Sequence, residues 1–255
     1  MLFIHGLAGY ALSWKKNIDV LRQHYRCIAI DLPGNGLSDR TNRTYSIQFF
    51  AETVYELIEK LQLQDVCLVG HSMGGQIAMT AILNHANCAE ELILCASAGF
   101  EKFSVFEKTM YQTTLHMASM FTSDESSLRQ VTENSFYQNQ TQAEEMIKDL
   151  IAIMRTHPLK EYRKMIEDCI LGMVNEPVHE QLHHILQPTL IIYGEQDAFI
   201  PNKLIHHIST QQLAEEATNK MRAATLEIIP YCGHFAQWEK AEEVNKYILE
   251  FLKNN

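Results

Sequence analysis

The sequence predicts an α/β protein with a mostly parallel sheet, flanked by helices and interrupted by a helical insertion. Three observations carry this. Short apolar runs alternate with helical patterns through the first hundred residues, and strand-like runs then vanish from about Phe100 to Leu186. Two more strand–helix pairs close the chain. Strands that alternate with helices need crossover connections, and crossovers join parallel neighbours.

Met1–His5 is the first apolar run and opens the sheet. Ser13–His24 places apolar residues three and four apart, the spacing of a helix that buries one face. Cys27–Asp31 is the second strand. Ser46 is set to cap the next helix, with Ile47, Phe50, Val54, Leu57, Ile58 and Leu61 on one face. Strands Val66–Gly70 and Leu92–Ala96 enclose the helix Met73–His85. Stretches 103–121, 124–137, 141–155 and 159–173 read as amphipathic helices of the insertion. Pro188–Gly194 and Ala224–Ile229 are the last strands, each followed by a helix. The division is therefore a core of 1–99 and 187–255 with a helical unit, 100–186, set into it.

A chain of 255 residues with 46% hydrophobic and 20% charged residues is long enough to bury a sizeable core, which excludes disorder and fibrous repeats. Lys+Arg 21 against Asp+Glu 31 leaves a net charge of −10, which speaks against nucleic acid or an anionic membrane as partner. No apolar run approaches the ~18 residues of a membrane span. Met1–Tyr10 lacks the basic start and long apolar stretch of a signal peptide. The six cysteines form no C-x-x-C pair, and Cys27, Cys67 and Cys95 sit in strand runs. Reduced, buried thiols in a cytoplasmic protein are the expectation.

Gly70-His71-Ser72-Met73-Gly74 is a G-x-S-x-G string between a strand and a helix. A serine in so tight a turn stands proud of the sheet on strained backbone, so its neighbours two residues away must be nearly free of side chain. Gly75 lets the helix pack close to the sheet. The free N–H groups of that helix start then face a developing oxyanion.

With this elbow, His5-Gly6-Leu7-Ala8-Gly9 and Asp31-Leu32-Pro33-Gly34-Asn35-Gly36-Leu37-Ser38 make the chain resemble the α/β-hydrolase fold superfamily over almost its whole length. The first segment resembles the family's His-Gly oxyanion loop, the second its D-x-P-G-x-G-x-S loop. The resemblance implies a triad in the chain order Ser, acid, His. Its acid belongs after the first core strand beyond the insertion, where Asp197 matches and Glu195 is the local rival. Its base belongs after the last strand, where His234 follows Gly233. Ser72 would then be the nucleophile, His234 the base and Asp197 the group that fixes the imidazole. Backbone N–H groups of Met73 and Leu7 would form the oxyanion hole, the latter assigned by resemblance.

Other residues offer rival chemistry. His71 is a tempting base, but its side chain should point away from Ser72. His179 and His183 are four apart without a third ligand, and neither His183-His184 nor His206-His207 has ligand spacing. Cys232 reads as a packed thiol, and Asp31 and Asp39 as scaffold. No metal or other cofactor is expected.

In resembling enzymes a helical cap between core strands roofs the site and selects the substrate. Here 100–186 holds seven of the eleven methionines, with Met117, Met120 and Phe121 as candidate pocket residues, though many of these side chains will simply pack helices together. Eight basic against thirteen acidic residues make this unit acidic, which disfavours a polyanionic substrate. Arg155, Lys160, Arg163 and Lys164 form a basic cluster, read first as a solvated face, that leaves room for one carboxylate.

The leading expectation is a cofactor-independent serine hydrolase of a small-to-medium, fairly apolar carboxylic ester. C–C bond hydrolases and a pyruvate-eliminating synthase resemble it in triad, and a triad-retaining ligand receptor is the alternative outside enzymes. Dehalogenases and epoxide hydrolases of this fold carry Asp at the elbow, so Ser72 argues against both. Members of the fold usually carry two strands before the His-Gly strand, whereas this sequence opens on that strand, so either its start is truncated or misassigned or the sheet is shorter. Cys27–Asp31 is then expected to be a sheet edge, exposed or covered by another chain, with a homodimer as the candidate arrangement.

Overall fold

The computed structural model describes residues 1–40, 43–111, 124–138, 140–156 and 158–254. Six strands, β1 (Leu2–Ile4), β2 (Ile28–Ile30), β3 (Cys67–His71), β4 (Glu91–Cys95), β5 (Thr189–Gly194) and β6 (Ala224–Ile229), form one sheet in the order β2-β1-β3-β4-β5-β6. Every pairing is parallel. All loops at the carboxyl ends of the strands therefore open on one edge, where Leu7, Ser72, Met73, Asp197 and His234 lie.

The strands read as apolar runs because both faces are covered. Leu2, Ile4, Leu68, Leu92, Leu94, Ile191 and Tyr193 point into one core, which includes helices α2 (Ile47–Lys60) and α3 (Met73–Asn84). Phe3, Cys67, Val69, Ile93, Cys95, Leu190 and Ile192 point into the other, which Trp14, Leu21 of α1 (Lys15–Leu21) and Val244 and Ile248 of the C-terminal helix complete. Ser46 caps α2 as its spacing predicts, its hydroxyl accepting the Phe49 N–H at 3.0 Å.

The insertion is helical, with 105–111 followed by α4 (Glu125–Asn134), α5 (Gln140–Met154) and α6 (Leu159–Asn175). It rests on the core through specific bonds. Gln76 in α3 donates to the Met173 and Glu176 carbonyls, Tyr10 donates to Asp149, and the Trp238 indole donates to the Gln142 carbonyl. Met146, Met154 and Met165 are buried in the hydrophobic cluster that these helices share with the core. Met117, Met120 and Phe121 lie outside the described residues. Among the described residues β2 is an outer strand paired only with β1, and its three residues are half-buried. No helix among the described residues is long and apolar enough to cross a membrane.

Candidate active site

Ser72 stands between β3 and α3 with φ 52° and ψ −118°. This is a conformation an L-residue holds only under constraint, at a cost of ~1–3 kcal/mol. The constraint is visible: the Ser72 N–H donates to the Cys95 carbonyl at 3.0 Å and the Ser72 carbonyl accepts from Ala98 at 2.9 Å. The glycines permit the approach. A Cβ on Gly70 would lie 2.4 Å from the Gly74 carbonyl oxygen, and one on Gly74 only 2.3 Å from that of Ile4. Met73 is the first residue of α3, so its N–H is among the helix's free donors.

Beside the elbow runs the loop after β1. A Cβ on Gly6 would come within 3.0 Å of the Ser72 Cβ, so Gly6-Leu7 passes against the serine. His5 fixes this loop: its Nε2 accepts the Leu32 N–H at 3.1 Å, so Nδ1 carries the proton and donates to the Gly6 carbonyl at 2.7 Å. Burial lowers the His5 pKa, which keeps that ring neutral.

Asp197 is fully buried in the loop after β5. Its Oδ1 accepts the N–H groups of Phe199 (2.8 Å) and Ile200 (3.0 Å), leaving Oδ2 for His234 Nδ1 at 2.8 Å. A carboxylate there selects the tautomer protonated on Nδ1 and leaves Nε2 free to accept a proton. Glu195, the rival, is exposed and bonded to the neighbouring Gln196 side chain. Gln196 in turn ties the acid loop to the histidine loop, donating to and accepting from the Cys232 backbone.

The structure thus joins Asp197 to His234 and sets both beside the elbow, with His234 7% and Ser72 8% exposed. Among the described residues no hydrogen bond links the Ser72 hydroxyl to the His234 ring. What links the two positions is His71, whose Nε2–H donates to the His234 carbonyl at 3.0 Å. Burial, and His234 nearby, hold the His71 pKa well below the ordinary range. It is a neutral donor and not a base. Burial likewise pushes the Cys232 thiol up, so it stays protonated. His179 donates to the Phe100 carbonyl, and among the described residues no three His, Cys, Asp or Glu side chains form a metal cluster.

The sequence profile of the α/β-hydrolase fold family matches residues 1–241. The chain belongs to this family. The α/β-hydrolase is accordingly an enzyme and a hydrolase. It is 27% identical over 256 residues to an uncharacterized hydrolase of Bacillus subtilis, spanning 99% of this chain and 89% of the relative. It is 26% identical over 263 residues to a 2-hydroxy-6-oxononadienedioate/2-hydroxy-6-oxononatrienedioate hydrolase of Burkholderia vietnamiensis, spanning 99% and 86% of the two. In fold it is similar to an esterase from Thermogutta terrifontis, with a TM-score of 0.81 at 22% identity over 99% of this chain and 89% of that one.

Sequence reasoning missed a second buried acid of this α/β-hydrolase. Glu101 follows β4, accepts the Asn202 N–H at 2.7 Å and lies 3.5 Å from His206. Burial raises its pKa to about 7, with Asp197 adding to the rise. Between pH ~4.5 and ~7 the folded chain keeps a proton that the unfolded chain has released, so stability falls as pH rises through that window, by up to ~3 kcal/mol. Glu101→Gln keeps the acceptor and removes the titration. Urea unfolding at pH 5 and pH 8 should show a smaller loss for the variant than for the wild type; equal losses would assign the pH dependence to another group.

Proposed function

We propose that this enzyme is a serine hydrolase that cleaves a small-to-medium, fairly apolar carboxylic ester through an acyl-enzyme. The observation that carries the reading is the buried Asp197–His234 hydrogen bond set beside a serine on strained backbone. As substrate binds, His234 Nε2 closes on Ser72 and takes its proton while the serine oxygen attacks the carbonyl carbon. The oxyanion is held by the N–H groups of Leu7 and Met73, each donor worth about 3 kcal/mol of transition-state stabilisation. His234 then protonates the departing alcohol, and water repeats the sequence on the acyl-enzyme. Asp197 holds the imidazole tautomer and stabilises the imidazolium.

The insertion, 100–186, is the cap of this reading, and Met117, Met120 and Phe121 are proposed pocket residues. Phe199, 5.4 Å ring to ring from His234, adds an apolar wall. A second reading, C–C bond hydrolysis with the same triad, is favoured by one relative's name and by Arg40. Its guanidinium lies 5.1 Å from the Tyr162 ring, with both terminal nitrogens lacking a hydrogen-bond partner among the described residues. A guanidinium with free donors is the type of group that pairs with a carboxylate-bearing substrate.

Labelling with a fluorophosphonate, with the adduct mapped by mass spectrometry, tests the triad without knowledge of the substrate. One adduct per chain at Ser72, lost in Ser72→Ala and His234→Ala, is expected. A folded protein that stays unlabelled would overturn the reading in favour of a receptor; where Ser72 is labelled, a panel of esters and vinylogous diketones separates the two hydrolytic readings. Six unpaired cysteines, five of them buried, support a cytoplasmic location. For the outer strand β2 we propose cover by a second copy; a monomeric mass by light scattering at all concentrations would refute this.

A further inference from the structure

His234 is gripped by the insertion as well as by the core. Its N–H donates to the Ser135 carbonyl at 2.7 Å, from the turn that ends α4. Phe136 stacks on Phe235 at 5.4 Å, and Tyr137 meets Tyr231 at 6.1 Å. One side chain joins the two segments. Glu239, on the short helix Ala236–Glu239, places a single carboxylate oxygen, Oε2, 2.9 Å from the Gly233 N–H and 3.1 Å from the Tyr137 N–H. Glu239 is buried, 7% exposed, and desolvation raises its pKa. A carboxylate that gives up water in order to bridge two backbone segments is a costly fastener unless the geometry it fixes has a use.

We infer that Glu239 is a positioning residue, bridging the turn 135–137 of the insertion to the loop that carries His234, so that seating of the insertion sets where the base stands. This rests on the serine-hydrolase reading above. Gly233 and Tyr137 are 96 residues apart in sequence, and their N–H groups converge on one oxygen. The neighbouring bond from His234 to Ser135 depends on that same register. If the bridge is lost, one buried and one partly buried donor are left unpaired, and the turn and the loop can separate. The imidazole then drifts from the elbow although Asp197 still orients it. A displacement of ~1 Å at the base is enough for a loss of about 10²-fold.

The test compares Glu239→Gln, which keeps an acceptor oxygen, with Glu239→Met, which keeps the volume without one, and Glu239→Asp, which withdraws the carboxylate by one methylene. Fluorophosphonate kinetics on the intact protein, per folded molecule, give kinact and KI for each, with Tm alongside. The wild type labelled at Ser72 establishes the triad first; if it is not labelled, the hydrolase reading fails and not the role of Glu239. With labelling established, kinact should fall about 10²-fold in Glu239→Met at unchanged KI, and Glu239→Gln should stay within about 3-fold of wild type. A Glu239→Met protein that loses Tm but keeps wild-type kinact would overturn the inference, as would a Glu239→Gln protein as slow as Glu239→Met. Should Glu239→Met not fold, Glu239→Asp decides: a drop of about 10-fold in kinact supports positioning, and a wild-type value refutes it.

Discussion

Asp197→Asn is expected to lower kcat by about 10⁴-fold and leave the fold intact. The carboxamide oxygen can still accept the N–H groups of Phe199 and Ile200, so the loop keeps its shape. The atom facing His234 Nδ1 becomes an NH₂ donor. Two donors cannot share one hydrogen bond, so the imidazole moves its proton to Nε2, the nitrogen that must receive the Ser72 proton. Ester hydrolysis and phosphonylation should fall together, and the melting temperature should stay close to wild type. Activity within tenfold of wild type would mean that Asp197 does not orient the base.

Gly74→Ala is the second large effect, and it falls on stability. The added methyl group lands 2.3 Å from the Ile4 carbonyl oxygen and 2.6 Å from that of His5, which is backbone and cannot rotate away. Either α3 leaves β1 or the loop with Leu7 shifts. We expect a loss above ~4 kcal/mol, a large part of the 5–15 kcal/mol of a typical domain, with insoluble expression as the visible outcome. At Gly172 the same methyl group would sit 3.1 Å from the Ile47 nitrogen, and the effect there should be milder. A urea midpoint for Gly74→Ala near that of wild type would refute the close approach of α3 to β1.

Much of this was legible in the sequence because each element carries its own local signal. Apolar runs of five or six residues marked the strands, and glycines two residues either side of Ser72 marked the turn. Asp197 and His234 stand out as candidates by their places after β5 and β6, where the family resemblance expects an acid and a base. Glu101 and Glu239 do not, because their roles depend on partners far along the chain. The Glu239 bond to Tyr137 spans 102 residues, and Glu101 finds Asn202 across 101. A glutamate inside a helix reads as a solvated face until the fold buries it. His71 lay between these cases: its string was obvious, and only the geometry showed that it donates to the His234 carbonyl.

The direct pairing of β4 with β5 bears on how readily such a chain can change what it acts on. Leu92 lies opposite Thr189, and the whole insertion is looped out between two strands that are neighbours in the sheet. The entropy of closing a loop grows only with the logarithm of its length, so doubling an insertion costs about 0.6 kcal/mol. Lengthening or trimming the helices at this joint is therefore nearly neutral for the sheet that holds Ser72, Asp197 and His234. The contacts that cannot be given up cheaply are those at the insertion's feet, among them Ser135, Tyr137, Gln142, Asp149, Met173 and Glu176. Diversification at this joint is free in length and restricted in where it touches down.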